Sequence, residues 1–346
     1  MTVQFSTVHT QHAILTPQSG PDPPVNDPHT SKDGSMKLTY FDDYRLGVVR
    51  GETIVDVTDA VDEIPHVGPH DLINGVIENF ATYRSRIESA AARGNARPLA
   101  SVVLRAPLPR PVNIDCMAVN YMEDGTREEA APINAFHKSP SAIIGPGETM
   151  VLPDAPAAVF EGEAEVAVVI GKRARNVAEA EAMDYVFGYM NFIDGSARGL
   201  PPPNNVFYQM KSRDTFAPIG PWIVTADEVA DPQNLQVRLW NNGELRQNFN
   251  TSDMAHDIKR CIAWVTAIHT LQPGDILATG TNHRGLHAFH DGDTIEIETE
   301  RLGRLGFQVR DDLKRSWERE TRLARQERGL NPLAPQTGGK YAPDNG

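Results

Sequence analysis

The chain has 346 residues and a formal net charge of −13, enough length for one large domain or for a small domain joined to a larger one. With no block of Lys and Arg long enough to form a stripe, this acidic balance disfavours binding to nucleic acid or to an anionic membrane surface. The two cysteines, Cys116 and Cys261, show neither metal spacing nor a disulfide framework, and no apolar run is long enough for a membrane span or a signal core. The expectation is a soluble, reduced, cytoplasmic protein.

Residues 1–35 are rich in Pro, Ser, Thr, Gln and His and read as a mobile extension. Residues 36–112 read as a small N-terminal domain. "KLTYFDDYRLGVVRGETIVDVT" gives two or three short strands. Ile73, Val76, Ile77, Phe80, Ile87 and Ala91 then predict a helix from about Asp71 to Arg93, and "LRAPLPRPVN" closes the module.

Residues 113–330 form the larger, strand-rich part. "FEGEAEVAVVIG" is a strand with Glu163, Glu165, Ala167 and Val169 on one face and Ala164, Val166, Val168 and Ile170 on the other. Asn176, with Glu179 as a capping-box partner, predicts a helix to about Phe187. Asn242-Gly243 marks a hairpin within "LQVRLWNNGELRQ". A helix is expected over Asp257 to His269, and "GDTIEIETE" is a further strand. A charged helix over Asp311 to Arg328, its apolar stripe limited to Leu313, Trp317 and Ala324, suits a domain edge or a subunit partner. Residues 331–346 read as a mobile tail.

Two glutamates on a strand that turns apolar must be the solvent face of that strand, or be neutralised. Glu161, two residues earlier on the same face, fits the first reading. Asp194 in "YMNFIDGSARG", a turn former or a ligand, supplies a third carboxylate at a strand end. Three oxygen donors without nitrogen or sulfur suit a hard cation such as Mg, Mn or Ca.

"FEGEAEVAVVIGKRARNV", "MDYVFGY", "IDGSAR", "MKSRDTFAPIGPWIVTADEV" and "LQPGDILATGT" follow one another as do the signatures of the fumarylacetoacetate hydrolase family, which the chain resembles from about Ile114 to Val309. The resemblance implies a mainly β protein with some α, a mixed β-sandwich roll carrying a small N-terminal domain, and a homodimer. It also implies a divalent cation, Mg first and Mn or Ca as alternatives, on Glu163, Glu165 and Asp194. Lys211 of "KSRDTF" falls on the family's lysine, whose ammonium can stabilise an oxyanion or enolate. Thr281 of "ATGTN" falls on a threonine that lies against substrate.

The sequence departs from the family where the proton moves. The family's Asn-Tyr-x-x-His-x-x-Glu reads "NYMEDGTR", so Asp124 stands in place of the general-base histidine and Arg127 in place of its glutamate. His283, two residues from Thr281, is the leading replacement base; Asp124, Glu123 and Glu128 are the local alternatives. His287 and His290 of "HAFHDG" read as solvated loop histidines and not as a second metal pair. The expected activity is metal-dependent hydrolysis of a C–C bond in a 1,3-diketone or acylpyruvate-like acid, a small-molecule oxo acid. A lyase, hydratase or tautomerase acting on a 2-oxo acid, and a non-catalytic metal and oxo-acid binding protein, are the alternatives.

Overall fold

The structure, a computed structural model, describes residues 36–201 and 207–342; the extension over 1–35 lies outside them. Its centre is the strand Val159–Ile170, buried along its whole length. The two-residue repeat read from its sequence separates two cores. Ala164, Val166, Val168 and Ile170 enter one, and Ala167 and Val169 enter the other. A strand buried on both faces has no solvent side to offer its glutamates, so the solvent-face reading of Glu163 and Glu165 falls away.

Around this strand lies a twelve-stranded sheet. Val159–Ile170 pairs antiparallel with Val186–Arg198 on one side and with Ile276–Ala278 on the other. A five-stranded sheet packs across the first core through Val237, Leu239, Ile295, Ile297, Leu305 and Phe307. The molecule is therefore mainly β with a few helices, built as a sandwich. Asn242 and Gly243 take the left-handed conformations of a tight hairpin, at φ 52° and 80°, as expected.

The segment 36–112 continues the large sheet. Its first strand, Lys37–Phe41, pairs with Ala217–Thr225, and its helices close the second core through Leu72, Ile73, Val76 and Ile77. The single helix expected from Asp71 is two, Pro69–Glu78 and Phe80–Arg93, broken at Asn79, whose side-chain amide donates back to the Gly75 carbonyl at 3.0 Å. Asn176 caps no α-helix. It sits at φ 49°, and only a 3₁₀ segment, Glu179–Tyr185, follows. The helix Ile258–Ile268 forms as expected, with Asp257 accepting from the Arg260 amide at 2.8 Å.

The C-terminal region differs most from expectation. The helix expected over Asp311 to Arg328 shrinks to Arg322–Glu327. Asp311 accepts from the amides of Leu313 and Arg315 and pairs with the fully buried Arg315 guanidinium at 2.9 Å, which fixes a turn where the helix would run. Trp317 is a strand residue instead, donating from its indole to the Ala158 carbonyl. The tail is placed as far as residue 342, not loose: Gln336–Gly338 pairs with Ser316–Trp317, and Ala334 is buried.

Candidate active site

Antiparallel register assembles the acidic cluster. Glu163 and Asp194 are direct cross-strand partners, and Glu165 follows two residues on along the same face. Ligand oxygens of the three carboxylates lie within 4.8 Å of one another, and all three residues are buried. Gly162, between Glu161 and Glu163, faces the other way: a Cβ there would stand 2.5 Å from the Phe289 ring, so the strand can lie this close only with glycine.

Two lysines neutralise part of the cluster. Lys211 Nζ bridges Glu163 Oε2, at 2.5 Å, and Asp194 Oδ2. Lys138 Nζ donates to Asp194 Oδ1 at 2.6 Å and to the Lys211 carbonyl at 2.5 Å. Arg198 adds a contact to Glu163. Burial pushes the Glu163 carboxyl up, but Lys211 and Arg198 outweigh it and hold the group well below the usual range. Glu165 goes the other way. Burial, then Asp194 and Glu163, push it well above its usual value, although it accepts from the Gly280 amide at 2.8 Å. Burial also raises Asp194, against the pull of its lysines. Of the three acids, Glu165 has no ion-pair partner among the described residues, whereas Glu163 and Asp194 each have cations.

His283 reaches this cluster. Its Nε2 lies 3.4 Å from Glu163 Oε1, and its Nδ1 lies 2.7 Å from Glu123 Oε1. The His283 amide also donates to Glu123 Oε2 at 2.8 Å. With a carboxylate on Nδ1, that nitrogen carries the proton and Nε2 faces the acids. Burial lowers the affinity of the ring for a second proton, but Glu123 and Glu163 together raise it above the ordinary value.

The backbone decides which acid of "MED" serves. Glu123 and Asp124 are both left-handed, at φ 57° and 55°, which turns the Glu123 side chain inward. Asp124, the residue at the family's histidine position, points outward and pairs with Arg284 at 3.1 Å. Thr281 is buried beside the cluster with its hydroxyl accepting from Gln247 at 2.9 Å. Glu161 is buried too, held by Arg198 and Arg322. Glu128 is exposed. His287 and His290 are buried, not solvated: His287 Nε2 accepts from Asn241 at 2.9 Å, and His290 bonds the Trp317 backbone.

Above the carboxylates lies a cavity of about 510 Å³, lined by His283, Arg127, Arg198, Arg284 and Arg322 among others. A smaller space, walled by Phe136, Lys211 and Thr281, lies against Glu163 and Glu165 and shares His283 and Arg198 with it. Sequence reading missed Lys138, Arg198 and Arg322. Lys138 followed a three-residue strand in "AFHKSP" and had no pattern to mark it, and Arg322 lay in a segment read as an edge helix.

Residues 114–310 match the family model described as fumarylacetoacetate (FAA) hydrolase C-terminal. The chain is 34% identical over 262 residues to a maleylpyruvate hydrolase of Aquipseudomonas alcaligenes, covering 71% of this chain and 90% of that protein. It is 36% identical over 243 residues to a mitochondrial oxaloacetate tautomerase of Rattus norvegicus, covering 63% and 77%. A crystal structure of maleylpyruvate hydrolase from Sphingobium sp. SYK-6, in complex with manganese(II) and pyruvate, superposes with a TM-score of 0.72 at 40% identity, over 80% of this chain and 99% of that one. The chain belongs to the fumarylacetoacetate hydrolase family and is an enzyme.

Proposed function

We propose that this enzyme is a metal-dependent hydrolase that cleaves a C–C bond in a 1,3-diketo acid of the acylpyruvate type. The observation that carries the reading is His283, held by Glu123 on one nitrogen and turned with the other toward the Glu163 carboxylate. A poised proton carrier beside a cation-binding cluster is what hydrolysis of such a substrate requires.

The residues present fit a divalent cation. Three buried carboxylates supply hard oxygen donors within 4.8 Å of one another, and Glu165 among them has no ion-pair partner among the described residues. Glu163, Glu165 and Asp194 would hold the ion, Mg²⁺ by expectation with Mn²⁺ or Ca²⁺ as alternatives; the manganese in the Sphingobium relative supports a divalent ion. When bound, it supplies Lewis-acid polarisation of a substrate carbonyl.

The side chains do the rest. His283 Nε2 takes a proton from water as the water oxygen adds to the distal carbonyl carbon. The C–C bond then breaks, its electron pair passes to the pyruvate-like half, and the same proton is returned to the carbon that leaves. Glu123 stabilises the imidazolium between these transfers. The Lys211 ammonium sits where negative charge develops. The arginines of the outer cavity favour a substrate with an anionic tail, as a dicarboxylate has.

A second reading, tautomerisation or isomerisation of a 2-oxo acid, is favoured by the likeness to the oxaloacetate tautomerase. The test is incubation with acylpyruvate-type acids and with oxaloacetate in Mn²⁺ or Mg²⁺ buffer, with products followed by NMR. Two fragments support hydrolysis. A single isomer with no fragments supports the second reading and overturns the first.

A further inference from the structure

Asp115, His137 and His269 meet on the side of the large sheet turned away from the acidic cluster. Asp115, on the strand Ile114–Met117, is the direct cross-strand partner of His137 on the edge strand Ala135–His137. Phe136 lies under the Lys211 ammonium, 5.1 Å from ring centroid to Nζ, and Lys138 bonds Asp194. His137, between them in extended chain, therefore projects to the opposite face. His269 is the residue that ends the helix Ile258–Ile268.

Both imidazoles aim at one oxygen. His137 Nε2 lies 2.7 Å and His269 Nε2 3.0 Å from Asp115 Oδ1, and the rings meet edge to face with centroids 5.1 Å apart. The three donor atoms lie within 4.8 Å of one another. Asp115 is 2% exposed, and its second oxygen, Oδ2, is buried with no hydrogen-bond partner. A buried carboxylate oxygen left unused is costly in a native core and asks for a ligand. The histidine side chains are 59% and 27% exposed, so the group opens to solvent on one side.

Two imidazoles and one carboxylate with donor atoms within 4.8 Å of one another, the imidazoles partly open to solvent, form a donor set for a borderline transition metal, zinc foremost, with water completing the shell. It differs in kind from the all-oxygen cluster at Glu163, Glu165 and Asp194. We propose that Asp115, His137 and His269 form a second metal site, for a zinc-class cation. A cation there ties the end of a helix to the edge strand, and fixes the residue after that strand, Lys138, which holds Asp194.

The test titrates zinc sulfate into the full chain with Mg²⁺ saturating the carboxylate cluster, counting bound zinc by equilibrium dialysis and following Tm. About one zinc per chain is expected, still taken up by Glu163→Gln, with a rise in Tm. In His137→Gln and in His269→Gln affinity falls by more than about 10-fold, since losing even an outer-shell partner costs that much. Equal zinc uptake in the parent and the double histidine variant overturns the proposal, as does uptake lost only in Glu163→Gln. Should a variant misfold, the parent chain decides by NMR: zinc must shift the imidazole resonances of two solvent-open histidines, and unchanged resonances overturn the site.

Discussion

His283 Nδ1 and Glu123 Oε1 stand 2.7 Å apart although 160 positions separate the two residues in the chain. The pair lies beside Glu163, whereas the resemblance implied a histidine and a glutamate from the single stretch Asn120 to Arg127. Here one stretch supplies the carboxylate and a distant loop the imidazole.

Glu123→Gln should therefore act through His283. The glutamine keeps the volume but no longer stabilises an imidazolium. Turnover is expected to fall by about 10- to 100-fold, and the limb of the pH–rate profile due to His283 should move to lower pH. Bound metal, measured on the same samples, should not change. An unmoved limb would separate Glu123 from proton transfer.

Lys138 is fully buried between Asp194 and the Lys211 carbonyl. Lys138→Met leaves the carboxylate with Lys211 as its one ammonium and a carbonyl without its donor. Breaking a buried pair from one side costs about 3–5 kcal/mol, and urea unfolding of the metal-free proteins should read a loss of that size. An unchanged midpoint would show that Asp194 does not depend on Lys138.

His287 gives a pH dependence with a definite sign. Burial first, and Arg246 second, push its pKa from 6.5 down to about 4, and its Nε2 accepts from Asn241, whose amide also donates to Asp293. The unfolded chain binds the extra proton between these values. The stability it contributes is thus complete above about pH 6.5 and is lost as pH falls toward 4, by about 3 kcal/mol over the window. His283, with its pKa raised, contributes in the opposite sense, losing stability as pH rises. The fall in unfolding free energy from pH 6.5 to 4.5 should be shallower in His287→Gln than in the parent. Parallel curves would remove His287 from the acid response.

Removing residues after Gly329 should destabilise the chain, since it strips the Gln336–Gly338 strand from Ser316–Trp317 and uncovers Trp317. A fall in Tm of roughly 1.5–3 °C is expected for a loss of one to two kcal/mol in a chain of this size. An unchanged Tm would mean that the tail contributes no net stability.

Much of this site was legible in the sequence because β-strand alternation is strict. The spacing of Glu163 and Glu165 placed both on one face, and Asp194 needed only a neighbouring strand in the right register. The alternation of Ala164, Val166, Val168 and Ile170 also foretold the core. What was hidden depended on where loops travel. Glu161 looked like a solvent-face residue because Arg322, its partner from the C-terminal segment, lies far along the chain. Asp124 was weighed by position, yet two consecutive left-handed residues turned Glu123 inward instead. The long C-terminal helix failed because Asp311 binds backbone amides and a buried arginine, an alternative that charge and periodicity do not register.

Proton transfer by His283 is read most directly from the turnover of His283→Ala on a 1,3-diketo acid, with bound metal measured on the same preparation. Turnover should fall by about 100-fold or more with metal content unchanged. Near-parental turnover in His283→Ala, alongside an inactive Asp124→Asn, would contradict it and return proton transfer to the segment around Asp124.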